Sequence, residues 1–120
     1  MFIIKVEGHF SSAHNLRGYR GKCETLHGHN WKVEAAVARP SLDKTGMVLD
    51  FKVLKKRLQN VLDKLDHKHL NKLPYFKKVN PSSERIAEYV YRRLKSRMQN
   101  LRSVTVWEND TSSATYHEEE

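Results

Sequence analysis

Phe2, Ile4, Val6, Gly8 and Phe10 alternate with Ile3, Lys5, Glu7 and His9. A period of two is that of a strand with one face buried, so residues 2–10 are predicted as the first strand. Residues 15–26 are polar and contain Gly18 and Gly21, and they read as a loop. Trp31, Val33, Ala35 and Val37 then fall in phase along a second strand from His27 to Ala38, and Pro40 to Gly46 is a connection. From Asp50 the period changes. Phe51, Leu54, Leu58, Val61, Leu62 and Leu65 recur at helical spacing behind Asp50 as N-cap. Asp66-His67 closes that helix, with Asn71 and Pro74 beyond its end. A second helix is expected from Asn80-Pro81, where Asn caps and Pro suits the first helical position, with Ile86, Val90, Leu94 and Met98 as its apolar stripe. Two strands follow, Ser103 to Glu108 and Ser113 to His117, joined by a turn at Asn109-Asp110. The order ββααββ predicts an α+β domain: an antiparallel four-stranded sheet with two helices on one face.

A chain of 120 residues holds one domain, spanning 1–120, and 38% hydrophobic residues build one modest core that subunit association would extend. No apolar run exceeds five residues, far short of the roughly 20 that span a bilayer, and the start lacks the pattern of a signal peptide. One cysteine excludes an internal disulfide and fits a reducing compartment, so a cytoplasmic protein without a membrane partner is expected. The net charge of +8 raises the question of nucleic acid, but Lys and Arg spread over both helices and several loops without a reading motif. No nucleic-acid partner is expected; a solvated cationic surface, or one that attracts a small polyanion, is.

The densest chemistry lies in Cys23-Glu24-Thr25-Leu26-His27-Gly28-His29, preceded by His14. On a strand, His27 and His29 point to one side. Two imidazoles so placed can grip one metal, and His14 at the end of the first strand can supply a third. Three histidines with an open position describe a catalytic zinc site. Ordinary surface histidines, or a closed structural site with Cys23 as fourth ligand, are the competing readings. Cys23 near a cation and a histidine would favour thiolate, a base or nucleophile, whereas a buried lone thiol is a small apolar filler. Asp66-His67 is either a proton-transfer pair or a helix-end cap. Glu108, in phase with Val104 and Val106, either meets a ligand with paired N–H donors or ends its strand in solvent.

Six segments, Phe10-Ser-Ser-Ala-His14, Cys23-x3-His27-Gly-His29-Asn30, Gly46-Met-Val-Leu-Asp50-Phe51, Leu65-Asp66-His67-x2-Leu70-Asn71, Asn80-Pro-Ser-Ser-Glu84 and Trp107-Glu108, run in one order along the chain. Together they resemble the 6-pyruvoyl-tetrahydropterin synthase / 6-carboxy-tetrahydropterin synthase family. The resemblance implies the T-fold, whose subunits associate into an oligomeric barrel, here expected as a homo-oligomer and by analogy a hexamer. It implies zinc held by His14, His27 and His29, a catalytic triad of Cys23, Asp66 and His67, and Glu108 as pterin anchor. Ser82, Ser83 and Glu84 fall at further pterin contacts, with serine where relatives often carry threonine. The three-residue gap between Cys23 and His27 resembles the carboxy branch of queuosine and 7-deazaguanine biosynthesis. The implied reaction is a zinc-dependent lysis of 7,8-dihydroneopterin triphosphate to 6-carboxytetrahydropterin, acetaldehyde and triphosphate. The pyruvoyl branch is the alternative within the family; a non-catalytic basic domain with structural zinc is the alternative outside it.

Overall fold

A computed structural model describes residues 1–21 and 24–118. Four strands, β1 (Phe2–His14), β2 (His27–Arg39), β3 (Leu101–Asn109) and β4 (Ser112–Tyr116), form one antiparallel sheet in chain order. Helices α1 (Phe51–Leu62) and α2 (Ser83–Lys95) cover one face, α1 over β1 and α2 over β3 and β4. The α+β architecture is the one the periodicities predict. Two short 3-10 turns, Leu70–Lys72 and Pro74–Phe76, lie between the helices and have no counterpart in that prediction.

The β1–β2 hairpin sets every later relation. Its register pairs Val6 with Ala35, Phe10 with Trp31, Ser12 with His29 and His14 with His27. The even positions of β1 and the odd positions of β2 therefore share the helix-covered face. Along it Val6, Phe10, Trp31, Val33, Ala35 and Val37 are buried, and Leu54, Leu58 and Leu62 of α1 close over them. Gly8 makes the close approach possible. A Cβ built there would stand 2.8 Å from Leu62 Cδ1 and 3.3 Å from Leu58 Cδ2.

Several boundaries differ from expectation, and at the end of α1 and the start of α2 a long-range hydrogen bond takes the group concerned. β1 continues past Phe10 to His14. Asp50 caps α1 as expected, accepting from Lys52 N at 2.8 Å, but Phe51 is exposed rather than in the buried stripe. The helix ends at Leu62, not at Asp66-His67. Lys64 N and Leu65 N bond three residues back, and His67 turns to φ 54°. Beyond the helix, His67 N donates to Ser11 O at 2.6 Å and Ala13 N to Lys68 O at 3.0 Å, so this segment runs along the outer edge of β1. Leu65 stays fully buried without being helical. Likewise α2 starts at Ser83 and not at Asn80-Pro81. The Asn80 side chain is spent on Arg17, accepting from its backbone N at 2.9 Å, and Ser82 caps instead, accepting from Arg85 N.

Candidate metal centre

Past Phe10 and Trp31 the helix-facing stripe of the hairpin changes from hydrocarbon to imidazole. His14, His27 and His29 occupy the last in-phase positions, next to the 15–26 loop. Their ring centroids lie 4.6 Å (His14–His27), 5.1 Å (His14–His29) and 4.8 Å (His27–His29) apart. Trp31 forms the floor, its ring edge-on to His14 at 4.9 Å and to His29 at 5.0 Å, with Nε1 donating to Ser12 O. Glu108 comes in from β3 where the β3–β4 register shifts between Trp107 and Asn109. Its Oε1 stands 3.0 Å from His29 Nε2 and 3.2 Å from His14 Nε2. One donor atom from each of these four residues falls within 4.8 Å of the others.

Two backbone carbonyls set the tautomers. His14 Nδ1 lies 2.7 Å from Pro81 O, and His27 Nδ1 lies 2.6 Å from Thr25 O. A carbonyl only accepts, so each Nδ1 carries a hydrogen, and in the neutral ring the lone pair is then on Nε2. Such a carbonyl partner is the usual support of a metal-ligating histidine. Burial is the main cause that holds His14 and His29 below the ordinary imidazole range. Glu108 pulls both upward without reversing the direction. The contacts to Glu108 are therefore not ion pairs at neutral pH. Nε2 of His14 and Nε2 of His29 are buried against Glu108 Oε1, and among the described residues neither makes a hydrogen bond of good geometry. Buried lone pairs left unmatched are costly. Three imidazoles converging on one point suit a divalent cation of the zinc type, with the Glu108 carboxylate beside them.

The other expected site residues are placed as follows. Cys23 lies outside the described residues. Asp66 and His67 pair with each other, His67 Nδ1 standing 2.9 Å from Asp66 Oδ2, while Asp66 Oδ1 accepts from Ser11 N at 2.8 Å. The Ser11 N–H, with His67 adding to it, keeps the Asp66 carboxyl below the usual carboxylate range. This pair sits on the outer edge of β1 and the His67 side chain is 82% exposed. Among the described residues, no hydrogen bond, ion pair or ring contact joins it to the three imidazoles. Ser82, Ser83 and Glu84 open α2 directly after Pro81, whose carbonyl meets His14, so the start of that helix borders the centre. The Ser82 hydroxyl is engaged as the cap. Sequence reasoning missed the Pro81 and Thr25 carbonyls, because a backbone acceptor leaves no residue-type signal. Trp31 was visible as a strand position but not as the floor of the centre.

The family model described as 6-pyruvoyl tetrahydropterin synthase matches residues 3–119. The chain is 39% identical over 122 residues to a 6-carboxy-5,6,7,8-tetrahydropterin synthase of Synechocystis, covering 97% of this chain and 93% of that protein. It is 33% identical over 141 residues to the protein of the same name from Haemophilus influenzae, covering 98% and 100%. Among solved structures, 6-pyruvoyl tetrahydropterin synthase of Caenorhabditis elegans superposes with a TM-score of 0.85 at 35% identity, covering 99% of this chain and 98% of that one. With the match running through both histidine-bearing strands, both helices and the Glu108 strand, the chain belongs to the 6-pyruvoyl tetrahydropterin synthase family.

Proposed function

We propose that this protein is a 6-carboxy-5,6,7,8-tetrahydropterin synthase, a zinc-dependent lyase acting on 7,8-dihydroneopterin triphosphate. The observation that carries the reading is the convergence of three imidazoles at one point, where two buried Nε2 atoms make no hydrogen bond of good geometry. Two curated relatives matched over nearly the whole chain bear that name and support the carboxy branch. His14, His27 and His29 would hold the ion, which supplies Lewis acidity toward the oxygens of the substrate side chain.

The remaining roles belong to the protein's own groups. Cys23 as thiolate takes the proton from the carbon next to the pterin ring, and Asp66-His67 is the second proton-transfer group. Glu108 accepts from the 2-amino and ring N–H edge and so fixes the ring, with Ser82, Ser83 and Glu84 completing the ring pocket. In one subunit Asp66-His67 faces away from the centre on an exposed strand edge. That placement favours an assembly in which copies of the chain bring the pair to a neighbouring centre, as in the barrel the family resemblance implies.

Incubation of the zinc-loaded protein with 7,8-dihydroneopterin triphosphate, followed by mass spectrometry, tests the proposal. Acetaldehyde and 6-carboxytetrahydropterin in equal amounts are expected. A well-folded, metal-loaded sample that releases triphosphate but no acetaldehyde would overturn it in favour of the pyruvoyl reaction. The structural likeness to the Caenorhabditis elegans protein is the observation on that side.

A further inference from the structure

A second cationic site lies on the outer side of the molecule, between the helices. Arg57 and Lys64 from α1 and the turn after it face Arg93 and Arg97 from α2 and its end across a cleft of about 360 Å³. Val61, Leu94, Asn60 and Ser96 complete its lining, and no carboxylate is among the lining residues. The four cations are not balanced elsewhere. Among the described residues none of Arg57, Lys64, Arg93 and Arg97 makes an ion pair, and Glu88 on α2 goes to Arg85 and Arg92. Two of the four are oriented. Arg57 Nη1 donates to Arg97 O at 3.2 Å, and the Arg93 guanidinium lies over the Tyr89 ring, 4.9 Å from its centroid. Like charges gathered around one cavity cost stability unless an anion answers them.

From these observations we propose that the cleft is a binding site for a short oligophosphate chain, distinct from the metal centre. Several cations around a small volume call for a ligand with several negative charges, and guanidinium groups match phosphate oxygens two at a time. The cleft lies in the size range of small-molecule sites, and no exposed aromatic lines it to stack a base, which disfavours single-stranded nucleic acid. It is also remote from the imidazoles. Pro81 meets His14 at the start of α2, whereas Arg93 and Arg97 stand at the other end, a helix length of roughly 20 Å away. The Arg residues at the end of α2 also complement its dipole, but Arg57 lies in the middle of α1 and has no such role.

The test is calorimetric titration of the full-length, zinc-loaded protein with inorganic triphosphate and with ATP. Arg57→Gln/Arg93→Gln is expected to weaken cleft binding by at least about tenfold. The control Lys52→Gln/Lys55→Gln removes two exposed charges from α1 outside the cleft and should change it by less than about threefold. A single-site variant, Arg97→Gln, serves if the double one melts early by circular dichroism. Triphosphate and ATP binding alike assigns the site to the phosphate chain alone; tighter ATP binding assigns it to nucleotides. The inference is overturned if the cleft variants bind as wild type does, if both variant pairs weaken binding equally, or if His27→Ala abolishes all triphosphate binding. The last variant separates this site from the metal centre, and none of these readouts depends on turnover of a pterin.

Discussion

His14 and His27 are held by carbonyls from different parts of the chain, Pro81 ahead of α2 and Thr25 just ahead of β2. Each contact turns one nitrogen toward the backbone and leaves the other for a ligand. His27 is only partly buried and its loss removes no core packing. His27→Ala should therefore fold normally, with an unchanged melting curve in the apo form, yet bind zinc at least about a hundredfold more weakly in a chelator competition. Cys23→Ala separates the catalytic from the structural role of the thiol. Zinc affinity should stay within about threefold of wild type while turnover falls by about 10² or more; a parallel loss of zinc would make Cys23 a ligand. The three histidines were legible because strand parity alone puts 14, 27 and 29 on one face once the hairpin register is known. Their tautomers were not, because they depend on carbonyls that side-chain identity does not encode.

Among the elements, α1 shows how far periodicity reaches. Leu54, Leu58 and Leu62 were legible as a buried stripe, and so was Asp50 as the cap. The stop was not, since Leu65 continues the helical spacing while His67 and Lys68 give their backbone groups to β1. Long-range pairing overrode local pattern there, and it also moved Asp66-His67 from a helix end to a sheet edge. Gly8 marks the closest approach of α1 to the sheet. Gly8→Ala should destabilise by about 1–3 kcal/mol in urea unfolding, because Leu62 must move to admit the methyl. On α2, Glu88 accepts from Arg85 at 2.9 Å and from Arg92 at 3.2 Å, and the Arg85 contact is the main reason its carboxyl lies below the usual range. As pH falls, the unfolded chain takes up this proton before the folded one does. The stabilisation is thus complete above the ordinary glutamate pKa and is lost as pH falls through the folded value. Glu88→Gln should flatten the acid side of the stability profile and leave its slope near neutrality unchanged.

For the whole molecule, the outline of 52 × 28 × 27 Å follows from the 13-residue strands of the first hairpin, each roughly 43 Å long at about 3.3 Å per residue. One end of that long axis carries the imidazoles, and the cationic cleft stands at the far end of α2. The four antiparallel strands and the helical cover on one face were legible from alternation and helical spacing, whereas the order of the strands within the sheet was not. The convergence of the arginines was not, because Arg57 and Arg93 are far apart in the chain and meet only through the helix pairing. No described helix is long and apolar enough to cross a membrane. The metal-type residues and the hydrocarbon residues of the hairpin occupy one continuous parity, from Val6 to His14 and from His27 to Val37. A one-residue slip of either strand against its partner would throw both sets outward at once. Core and chemistry thus share one reading frame, so a slip that spoiled the ligand set would also strip the protein of its interior.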